Sequence, residues 1–320
     1  MLLAATAGAQ PSIPVGPPGA GSVAIFYYPW YGTPSEDGAW QHWNQNGSDP
    51  PLAVASGWFP DRGAYSSSDG SVVREQMGEI AQAGIDTVIV SWWGPGSAEA
   101  ARLPLVVSSA RAVGLAVALH VEPFAGRSPG GLEPELRRLA ADGIRDVYVY
   151  DSSSSPDESW RELAASLPEL RLFANTGQVG KALAGGFDGL YTYDVLLYDG
   201  SSFPRVCASA RAHGLACAPS VGPGYDARRA TPDRRVQPRQ AGSRYDRMWR
   251  AAVRARADVV TITSYNEWHE GTQIEPARSS VPGFKSYEGA FGLAGERAER
   301  AYLDRTAQWV DRYRRQKGSS

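Results

Sequence analysis

A repeated alternation of short apolar runs and helical stretches is the feature that most constrains the fold of this chain. The apolar runs are rich in Val, Ile, Leu and Ala, as is typical of parallel strands buried on both faces. Alternating strands and helices predict a parallel sheet, and eight such units in 320 residues predict a single (β/α)8 TIM barrel. The predicted strands end near Tyr31, Trp93, Glu122, Tyr150, Asn175, Tyr193, Val221 and Asn266.

An open, doubly wound sheet is the alternative, because it is built from the same units. Such a sheet usually has fewer strands and often carries a Gly-rich phosphate-binding turn after the first strand. No such turn follows the run at 22–31, so we favour the barrel. The helices are predicted near residues 72–83, 98–113, 133–141, 157–166, 179–184, 204–213, 239–256 and 296–315.

The loop after the first strand runs to about residue 68 and is far longer than a typical connection. It contains Trp40, His42, Trp43 and Trp58, so it is rich in aromatic residues. Because long loops without secondary structure are often functional, we expect this one to contribute to a site.

The charge balance narrows the range of partners. Lys and Arg number 32 and Asp and Glu number 34, so the net charge is −2, which argues against nucleic acid as the main partner. No apolar run is long enough to span a bilayer. Ten Trp and fifteen Tyr are many, and aromatic faces stack on sugar rings, although core packing explains any single one. We expect a monomer that binds a carbohydrate.

The chain ends are expected to lie outside the barrel. Residues 1–21 combine an apolar start with small residues and then Pro and Gly, which predicts a remnant of a secretory signal followed by a disordered linker. They predict export, by secretion or to the cell envelope, although the usual positive n-region is missing. Residues 22–316 are predicted to form the catalytic domain, and residues 317–320 a disordered tail.

Two cysteines, Cys207 and Cys217, allow two interpretations. They could pair between a helix and the next strand, or remain two buried thiols. Because so large a core needs no covalent link, we favour thiols. Neither their spacing nor their neighbours suggest a metal site.

The stretch 262–275, Ile-Thr-Ser-Tyr-Asn-Glu-Trp-His-Glu-Gly-Thr-Gln-Ile-Glu, is the strongest candidate for a catalytic site. A β-branched run precedes it, and barrel enzymes place their chemistry where such strands end. Glu267 and Glu270 are three apart and would face opposite sides of a straight strand. The backbone must therefore turn after Glu267 if both serve one site, and Gly271 can support that turn. Asn266, Trp268 and His269 favour a site over a solvated loop.

Other strand ends carry residues that would meet at the same face of the barrel. His120 and Glu122 are two apart and share a strand face, as do Tyr191 and Tyr193. Each alone is explained equally well by core packing, but together they predict an acidic pocket walled by aromatic rings, which is typical of a glycosidase. A carbohydrate-binding barrel without catalysis is the second interpretation, and the presence of both carboxylates disfavours it.

Two other hydrolytic chemistries are disfavoured. A metal site made of His120, Glu122, His269 and Glu270 lacks a His-x-x-x-His or Cys-pair anchor, and the order Glu-Trp-His-Glu is not that of the zincins. Serine hydrolysis lacks a Gly-x-Ser-x-Gly motif. We expect neither a metal nor a cofactor.

Five motifs resemble glycoside hydrolase family 99, the endo-α-mannosidases and endo-α-1,2-mannanases. The resemblance extends over residues 23–315 and implies a (β/α)8 barrel without metal or cofactor, which cleaves within α-mannoside chains with retention. The motifs are 26–32 (Phe-Tyr-Tyr-Pro-Trp-Tyr-Gly), 91–94 (Ser-Trp-Trp-Gly), 120–124 (His-Val-Glu-Pro-Phe), 219–226 (Pro-Ser-Val-Gly-Pro-Gly-Tyr-Asp) and 264–275.

The resemblance also implies roles for the two carboxylates. Glu267 would act as a base on the mannose 2-hydroxyl, which attacks C1 and forms a 1,2-anhydro sugar. Glu270 would protonate the leaving oxygen and then activate the water that opens this sugar. Glu270 must be protonated at rest, so its pKa is expected to be raised. The expected sugar contacts are Tyr31, His42, Trp93, His120, Glu122, Asn266 and one of Tyr191 and Tyr193.

Trp93 is expected to govern specificity. Animal members of the family look to have Tyr at this place, whereas bacterial mannanases have Trp. The resemblance therefore implies a preference for mannose over glucose in the outermost subsite. Cleavage of glucosylated mannose N-glycans is the alternative.

Overall fold

One parallel sheet forms the frame of the computed structural model, which describes residues 21–318. A separate two-stranded antiparallel pair, β9 and β10, lies outside this sheet. The strands are β1 (Ser22–Tyr27), β2 (Thr87–Trp92), β3 (Ala116–Val121), β4 (Asp146–Val149), β5 (Arg171–Asn175), β6 (Gly189–Tyr191), β7 (Ala216–Ala218), β8 (Ser220–Val221), β9 (Tyr225–Asp226), β10 (Val236–Gln237) and β11 (Val259–Ile262).

The sheet closes into a barrel through β7 and β8, which are separated only by Pro219. β7 pairs with β6, β8 pairs with β11, and β11 pairs in turn with β1. Pro219 has no N–H to donate, but its carbonyl accepts a bond of 3.1 Å from the N–H of Thr261. β7 and β8 therefore act as one interrupted strand. The predicted (β/α)8 barrel is confirmed, and the open sheet is excluded.

Helices follow the strands and cover the outside of the barrel. Local capping explains where several begin: the side chains of Asp69, Ser97 and Ser128 accept backbone N–H groups of the first turn. The helices are α1 (Pro34–Asp37), α2 (Gly70–Gln82), α3 (Ala98–Ala112), α4 (Pro129–Ala141), α5 (Asp157–Ser166), α6 (Val179–Ala184), α7 (Phe203–Ala212), α8 (Ser243–Arg254), α9 (Glu296–Glu299) and α10 (Ala301–Gly318).

The first and last barrel strands end about four residues earlier than predicted. Beyond β1, the N–H of Tyr28 donates to Oδ1 of Asn266, and Nδ2 of Asn266 donates to the carbonyl of Tyr28. This side chain takes the backbone groups that a longer strand ladder would use. Pairing therefore stops, and the chain is free to turn into the loops at the barrel mouth.

Two helix boundaries also correct the sequence prediction. The helix expected from residue 239 begins at Ser243, because Ala241 (φ 47°) and Gly242 (φ 87°) adopt left-handed backbone conformations. α10 extends to Gly318, so residues 317 and 318 are helical and do not belong to a tail. Residues 1–20 and 319–320, which include the predicted signal remnant, lie outside the described residues.

Side chains of the strands alternate between two apolar clusters. Val23, Ile25 and Tyr27 of β1 pack outward against the helices, whereas Ala24 and Phe26 pack inside the barrel. β3 follows the same rule: Val117, Leu119 and Val121 belong to the outer cluster, and Ala118 belongs to the inner one. His120 and Glu122 continue the inner series, which places them in the barrel mouth as predicted.

The two cysteines form a disulfide, so the expectation of free thiols was wrong. Cys207 lies on α7 and Cys217 on β7, with their Cα atoms 5.2 Å apart. The helix packs directly on the strand that follows it, and this packing brings both buried side chains into bonding distance. Core size, on which the expectation rested, does not decide whether two adjacent cysteines pair. Over residues 21–318, no helix is both long and apolar enough to cross a membrane.

The double substitution Cys207→Ala/Cys217→Ala should lower the unfolding free energy by about 2–3 kcal/mol, because the bond closes a loop of about ten residues in the unfolded chain. In a domain of this size the melting temperature should fall by roughly 3–5 °C. Thermal unfolding by circular dichroism measures this, with wild type in excess reductant as the matched comparison. A variant that melts with wild type would show that the bond adds no stability.

Candidate active site

The chain turns sharply after β11 and brings Glu267 and Glu270 together. The N–H of Trp268 donates to the carbonyl of Asn266 at 3.0 Å, and that of Gly271 donates to the carbonyl of Trp268 at 3.3 Å. Gly271 has a φ of 64°, and a Cβ there would lie 2.6 Å from the ring of Trp58. Glycine is therefore required at this position, as the sequence suggested.

Glu267 is buried and is held by the backbone of its own turn. Its Oε1 accepts the N–H groups of His269 at 3.0 Å and Glu270 at 3.3 Å. Burial raises the pKa of Glu267 well above its usual value, and the negative charges of Glu270 and Glu122 raise it further. The two N–H groups oppose this rise because they stabilise the ionised form.

Glu270 is partly buried, and its side chain is surrounded by other acidic residues. Burial and the charges of Asp194, Glu122 and Asp233 raise the pKa of Glu270 to about 8, while Arg235 acts in the opposite direction. Glu270 is therefore protonated at neutral pH. A proton on Glu270 also removes a negative charge that disfavours ionisation of Glu267, so the pair can hold one acid and one base.

His120, Glu122 and Tyr191 form a connected group on the inner wall. Nδ1 of His120 lies 2.9 Å from Oε1 of Glu122, and Nε2 lies 2.9 Å from the hydroxyl of Tyr191. Ser91 donates to the same Glu122 oxygen at 2.8 Å. Glu122 is 5% exposed, so its carboxylate lies at the floor of the barrel mouth.

The two tyrosines differ in the carboxylates that act on them. The charges of Glu270 and Glu267 contribute to raising the pKa of Tyr193, whereas the carboxylate that acts on Tyr191 is Glu122. The hydroxyl of Tyr193 hydrogen-bonds to that of Tyr28. Tyr191 is fully buried with its hydroxyl on His120, so Tyr193 is the better placed of the two predicted candidates.

A stack of rings forms one side of the site. Trp30 and His42 are stacked with centroids 4.6 Å apart, and His42 stacks on His269 at 5.5 Å. Nε2 of His269 lies 2.8 Å from the carbonyl of His42, which fixes the long loop to the turn that carries Glu267 and Glu270. Burial and Arg102 lower the pKa of His42 to about 4, and burial and His42 lower that of His269 to about 3. Both imidazoles are neutral at neutral pH.

Trp93 and Trp92 have different environments. Trp92 is buried and packs edge-on against Phe124 at 5.6 Å. Trp93 is partly exposed, and its ring lies 6.5 Å from that of Trp30. Of the two adjacent tryptophans, only Trp93 can therefore offer a ring face to a ligand.

Two residues that were expected to bind substrate are fully buried and form hydrogen bonds to the turn. The hydroxyl of Tyr31 donates to the carbonyl of Asn266 at 3.0 Å and accepts the N–H of Trp268 at 3.1 Å. Both hydrogens of the Asn266 amide are used, by the carbonyl of Tyr28 and the hydroxyl of Tyr65. Neither side chain is exposed, so the structure does not place Tyr31 or Asn266 among the accessible groups.

Glu275 is a structural residue that sequence reasoning missed. Its carboxylate has no exposed surface and accepts four hydrogen bonds of 2.7–2.9 Å. The donors are Arg62, Tyr65, Gln76 and Trp268. Its place at the end of the motif was visible, but nothing in the spacing distinguished it from an exposed acid.

Several residues near the carboxylates were also missed as site residues. Asp194 follows Tyr193 directly, so its position after a predicted strand was an available signal. Tyr150 ends a predicted strand, which was a signal of the same kind. Asp233 lies in the excursion between β9 and β10, where the sequence gives no such signal. Within residues 21–318, no group of three or more His, Cys, Asp or Glu side chains is arranged to hold a metal ion.

Comparison with known proteins agrees with this geometry. The family described as Glycosyl hydrolase family 99 matches residues 20–315. The chain belongs to this family. Its fold is similar to that of the GH99 endo-alpha-mannosidase from Bacteroides thetaiotaomicron, with a TM-score of 0.83, 30% identity, and coverage of 94% of this chain and 99% of that chain.

Curated relatives support the same assignment. The chain is 29% identical to the glycoprotein endo-alpha-1,2-mannosidase-like protein of Danio rerio, over 92% of this chain and 79% of that protein. It is also 29% identical to the glycoprotein endo-alpha-1,2-mannosidase of Xenopus laevis, over 94% of this chain and 79% of that protein. The family 99 chain described here is a glycoside hydrolase.

The raised pKa of Glu270 gives an expectation for pH dependence. A carboxyl group with a pKa of about 8 holds its proton below pH 8, so it can act as an acid there, and it is ionised above pH 8. For a glycoside with a poor leaving group, kcat/KM should therefore fall as pH rises through about 8, since kcat/KM reports the free enzyme. A pH–rate series measures this, and an alkaline midpoint near 5 would contradict it.

Asp194→Asn provides the matched control. Asn can still accept the N–H of Leu196, which Asp194 accepts at 2.7 Å, but it removes one of the charges that raise the Glu270 pKa. The alkaline midpoint should move to lower pH. An unchanged midpoint would show that the charge of Asp194 does not act on the group that limits the rate.

Proposed function

We propose that the protein is a retaining, endo-acting α-mannoside hydrolase that cleaves internal α-1,2 linkages through a 1,2-anhydro sugar. The observation that carries this is the pair of carboxylates on one turn, with Oε1 of Glu267 held by two N–H groups and the pKa of Glu270 raised to about 8 by burial and neighbouring acids. The names of the family 99 relatives, endo-alpha-mannosidase and endo-alpha-1,2-mannosidase, support the substrate class and the internal cleavage.

In the first step Glu267 removes the proton from the mannose 2-hydroxyl. The oxygen O2 attacks C1 from the side opposite the leaving group while the C1–O glycosidic bond breaks, and the departing oxygen takes the proton of Glu270. The axial 2-hydroxyl of mannose aligns with an axial α-linked leaving group, so this geometry suits α-mannosides. The step leaves a 1,2-anhydro sugar, a protonated Glu267 and an ionised Glu270.

In the second step Glu270 acts as the base. It removes a proton from water, the water oxygen attacks C1, and the C1–O2 bond opens. O2 takes back the proton held by Glu267, which restores both carboxylates to their starting states. C1 is inverted twice, so the α configuration is retained.

The side chains around the carboxylates would hold the sugar. We assign Tyr193, Glu122 and His42 to the sugar that is cleaved, and the exposed ring of Trp93 to an outer sugar. Tyr193 is preferred to Tyr191 because the charges of Glu267 and Glu270 act on it. Tyr31 and Asn266 support the turn and need not touch the sugar.

We also propose that the protein works outside the cytoplasm, secreted or in the cell envelope. The composition of the first ten residues supports export. The bond between Cys207 and Cys217 adds support, because structural disulfides persist in oxidising compartments. Fractionation of the producing cells tests this, and a cytoplasmic protein with reduced cysteines would contradict it.

A donor with fluorine in place of the 2-hydroxyl and a good leaving group tests the mechanism. Because O2 is the proposed nucleophile, this 2-fluoro donor should not turn over and should leave no adduct on the protein. A direct attack by Glu267 would instead trap it as an ester. Intact mass spectrometry after incubation decides the matter, and a glycosyl mass on the Glu267 peptide would refute the anhydro route.

Substitution of each carboxylate is the matched control for that experiment. Glu270→Gln should spare kcat/KM for an activated aryl glycoside more than for a natural substrate, because a good leaving group needs little acid assistance. Glu267→Gln should abolish cleavage of both while it keeps the size of the side chain. Equal losses in both variants on both substrates would contradict the division of roles.

Trp93→Tyr should shift preference in the outer subsite toward glucose. One ring or hydroxyl contact is worth about 1–3 kcal/mol, so the ratio of kcat/KM values should change roughly tenfold to a few hundredfold. The measurement compares product release from yeast-type α-mannan and from a glucosylated mannose N-glycan. The second candidate function is cleavage of such N-glycans, and the name of the Xenopus laevis relative, a glycoprotein endo-alpha-1,2-mannosidase, supports it. The same two substrates test this candidate on the wild-type protein. Equal changes on both substrates would exclude Trp93 as the discriminating residue.

A further inference from the structure

Behind the catalytic turn lies a buried arginine enclosed by aromatic rings. The guanidinium carbon of Arg239 lies 4.6 Å from the ring centroid of Trp58 and 4.7 Å from those of Tyr287 and Tyr302. Arg239 is 9% exposed, and Tyr287 and Tyr302 are 2% and 1% exposed. We call these four residues the arginine cage.

The arginine cage binds the backbone that immediately follows Glu270. Nη2 of Arg239 donates to the carbonyl of Gly271 at 3.0 Å and to that of Gln273 at 2.7 Å. Trp58 contacts the same turn, since a Cβ on Gly271 would lie 2.6 Å from its ring. One guanidinium thus fixes two carbonyls on either side of residue 272, and its ring neighbour closes the space beside them.

A second contact holds the backbone of Glu270 from the same side. The N–H of Asp226 donates to the carbonyl of Glu270 at 2.7 Å. The Asp226 carboxylate is bound by Lys285, whose Nζ lies 4.7 Å from the Trp58 ring centroid. The Trp58 ring therefore lies within reach of two cations, each linked to the chain between Glu270 and Gln273.

Burial of this guanidinium is costly, which makes its position informative. Among the described residues, Nε and Nη1 of Arg239 have no hydrogen-bond partner. A buried cation is tolerated only when other interactions offset its lost hydration, and here these are the ring faces and two carbonyls. An apolar side chain could fill the same space without that penalty, but it could not bind the carbonyls after Glu270.

We propose that Arg239 is a positioning residue for the acid and base Glu270: it fixes the turn at Gly271 and Gln273 so that the carboxyl group meets the leaving oxygen. This inference rests on the proposed function, in which Glu270 protonates that oxygen. Arg239 does not touch the substrate, and its effect passes through the backbone. Its loss should therefore harm the acid-dependent step selectively.

Arg239→Met tests this because it keeps the length of the aliphatic stem and removes the donors. On an α-1,2-linked mannan oligosaccharide, kcat/KM should fall roughly 10- to 100-fold, since a small misplacement can remove most of the benefit of an acid. On a dinitrophenyl α-mannobioside, which needs little acid assistance, kcat/KM should change less than about threefold. Arg239→Lys keeps a cation and a donor in the cage and should recover part of the loss.

Arg305→Met is the matched control. Arg305 also lies over aromatic rings, 5.2 Å from Phe291 and 5.9 Å from Trp309, but it binds Asp246 and not the catalytic turn. The Arg305→Met substitution should lower the melting temperature and leave the ratio of the kcat/KM values for the two substrates at the wild-type value. If Arg239→Met lowers kcat/KM equally for both substrates, or for neither, the positioning role is overturned.

Glu270→Gln separates this inference from the function on which it rests. If Glu270→Gln lowers kcat/KM selectively for the oligosaccharide and Arg239→Met does not, only the proposed role of Arg239 fails. If Glu270→Gln shows no selectivity, the acid role of Glu270 fails and the inference fails with it. If Arg239→Met does not fold, Arg239→Lys decides, because a selective loss on the oligosaccharide is still required.

Discussion

The rest of the site depends on the hydrogen bonds that the buried carboxylate of Glu275 accepts. This carboxylate has no contact with solvent, so it is tolerable only because four donors surround it. Those donors come from the long loop, from α2 and from Trp268, which lies between Glu267 and Glu270 in sequence. One buried charge thus joins three separate parts of the chain. Replacement of any donor by an apolar group would leave that charge partly unsatisfied beneath the turn that carries Glu267 and Glu270.

The carboxylates of Glu267 and Glu270 have different electrostatic surroundings. Glu267 is buried and Glu270 is partly buried, and burial together with nearby acids raises the pKa of each. Glu267 accepts two backbone N–H groups, whereas Glu270 lies among Asp194, Glu122 and Asp233. Burial and neighbouring acids therefore raise the pKa of both residues, but only for Glu267 do two backbone N–H groups act against this rise. Two residues of the same type, three positions apart, thus have different electrostatic surroundings.

Sequence periodicity predicted most of the fold and the inner wall of the site. A period of two placed His120 and Glu122 on one face, and the motif at 264–275 located the carboxylates. It did not reveal that Tyr31 and Asn266 are buried, because a polar side chain at a strand end can serve the backbone as well as a ligand. The pairing of Cys207 with Cys217 and the approach of Asp233 depend on how separate elements pack, and no local pattern encodes that.

The stacked histidines have a consequence for the charge of the site. His42 and His269 have pKa values of about 4 and 3, so neither gains a proton between pH 5 and 8. Imidazole is normally the side chain whose charge changes in that interval. Here the rings of His42 and His269 are flat, uncharged surfaces that stack beside Trp30, as other aromatic side chains would. Across mildly acidic and neutral surroundings, the stacked wall formed by these two histidines and Trp30 therefore keeps a constant charge.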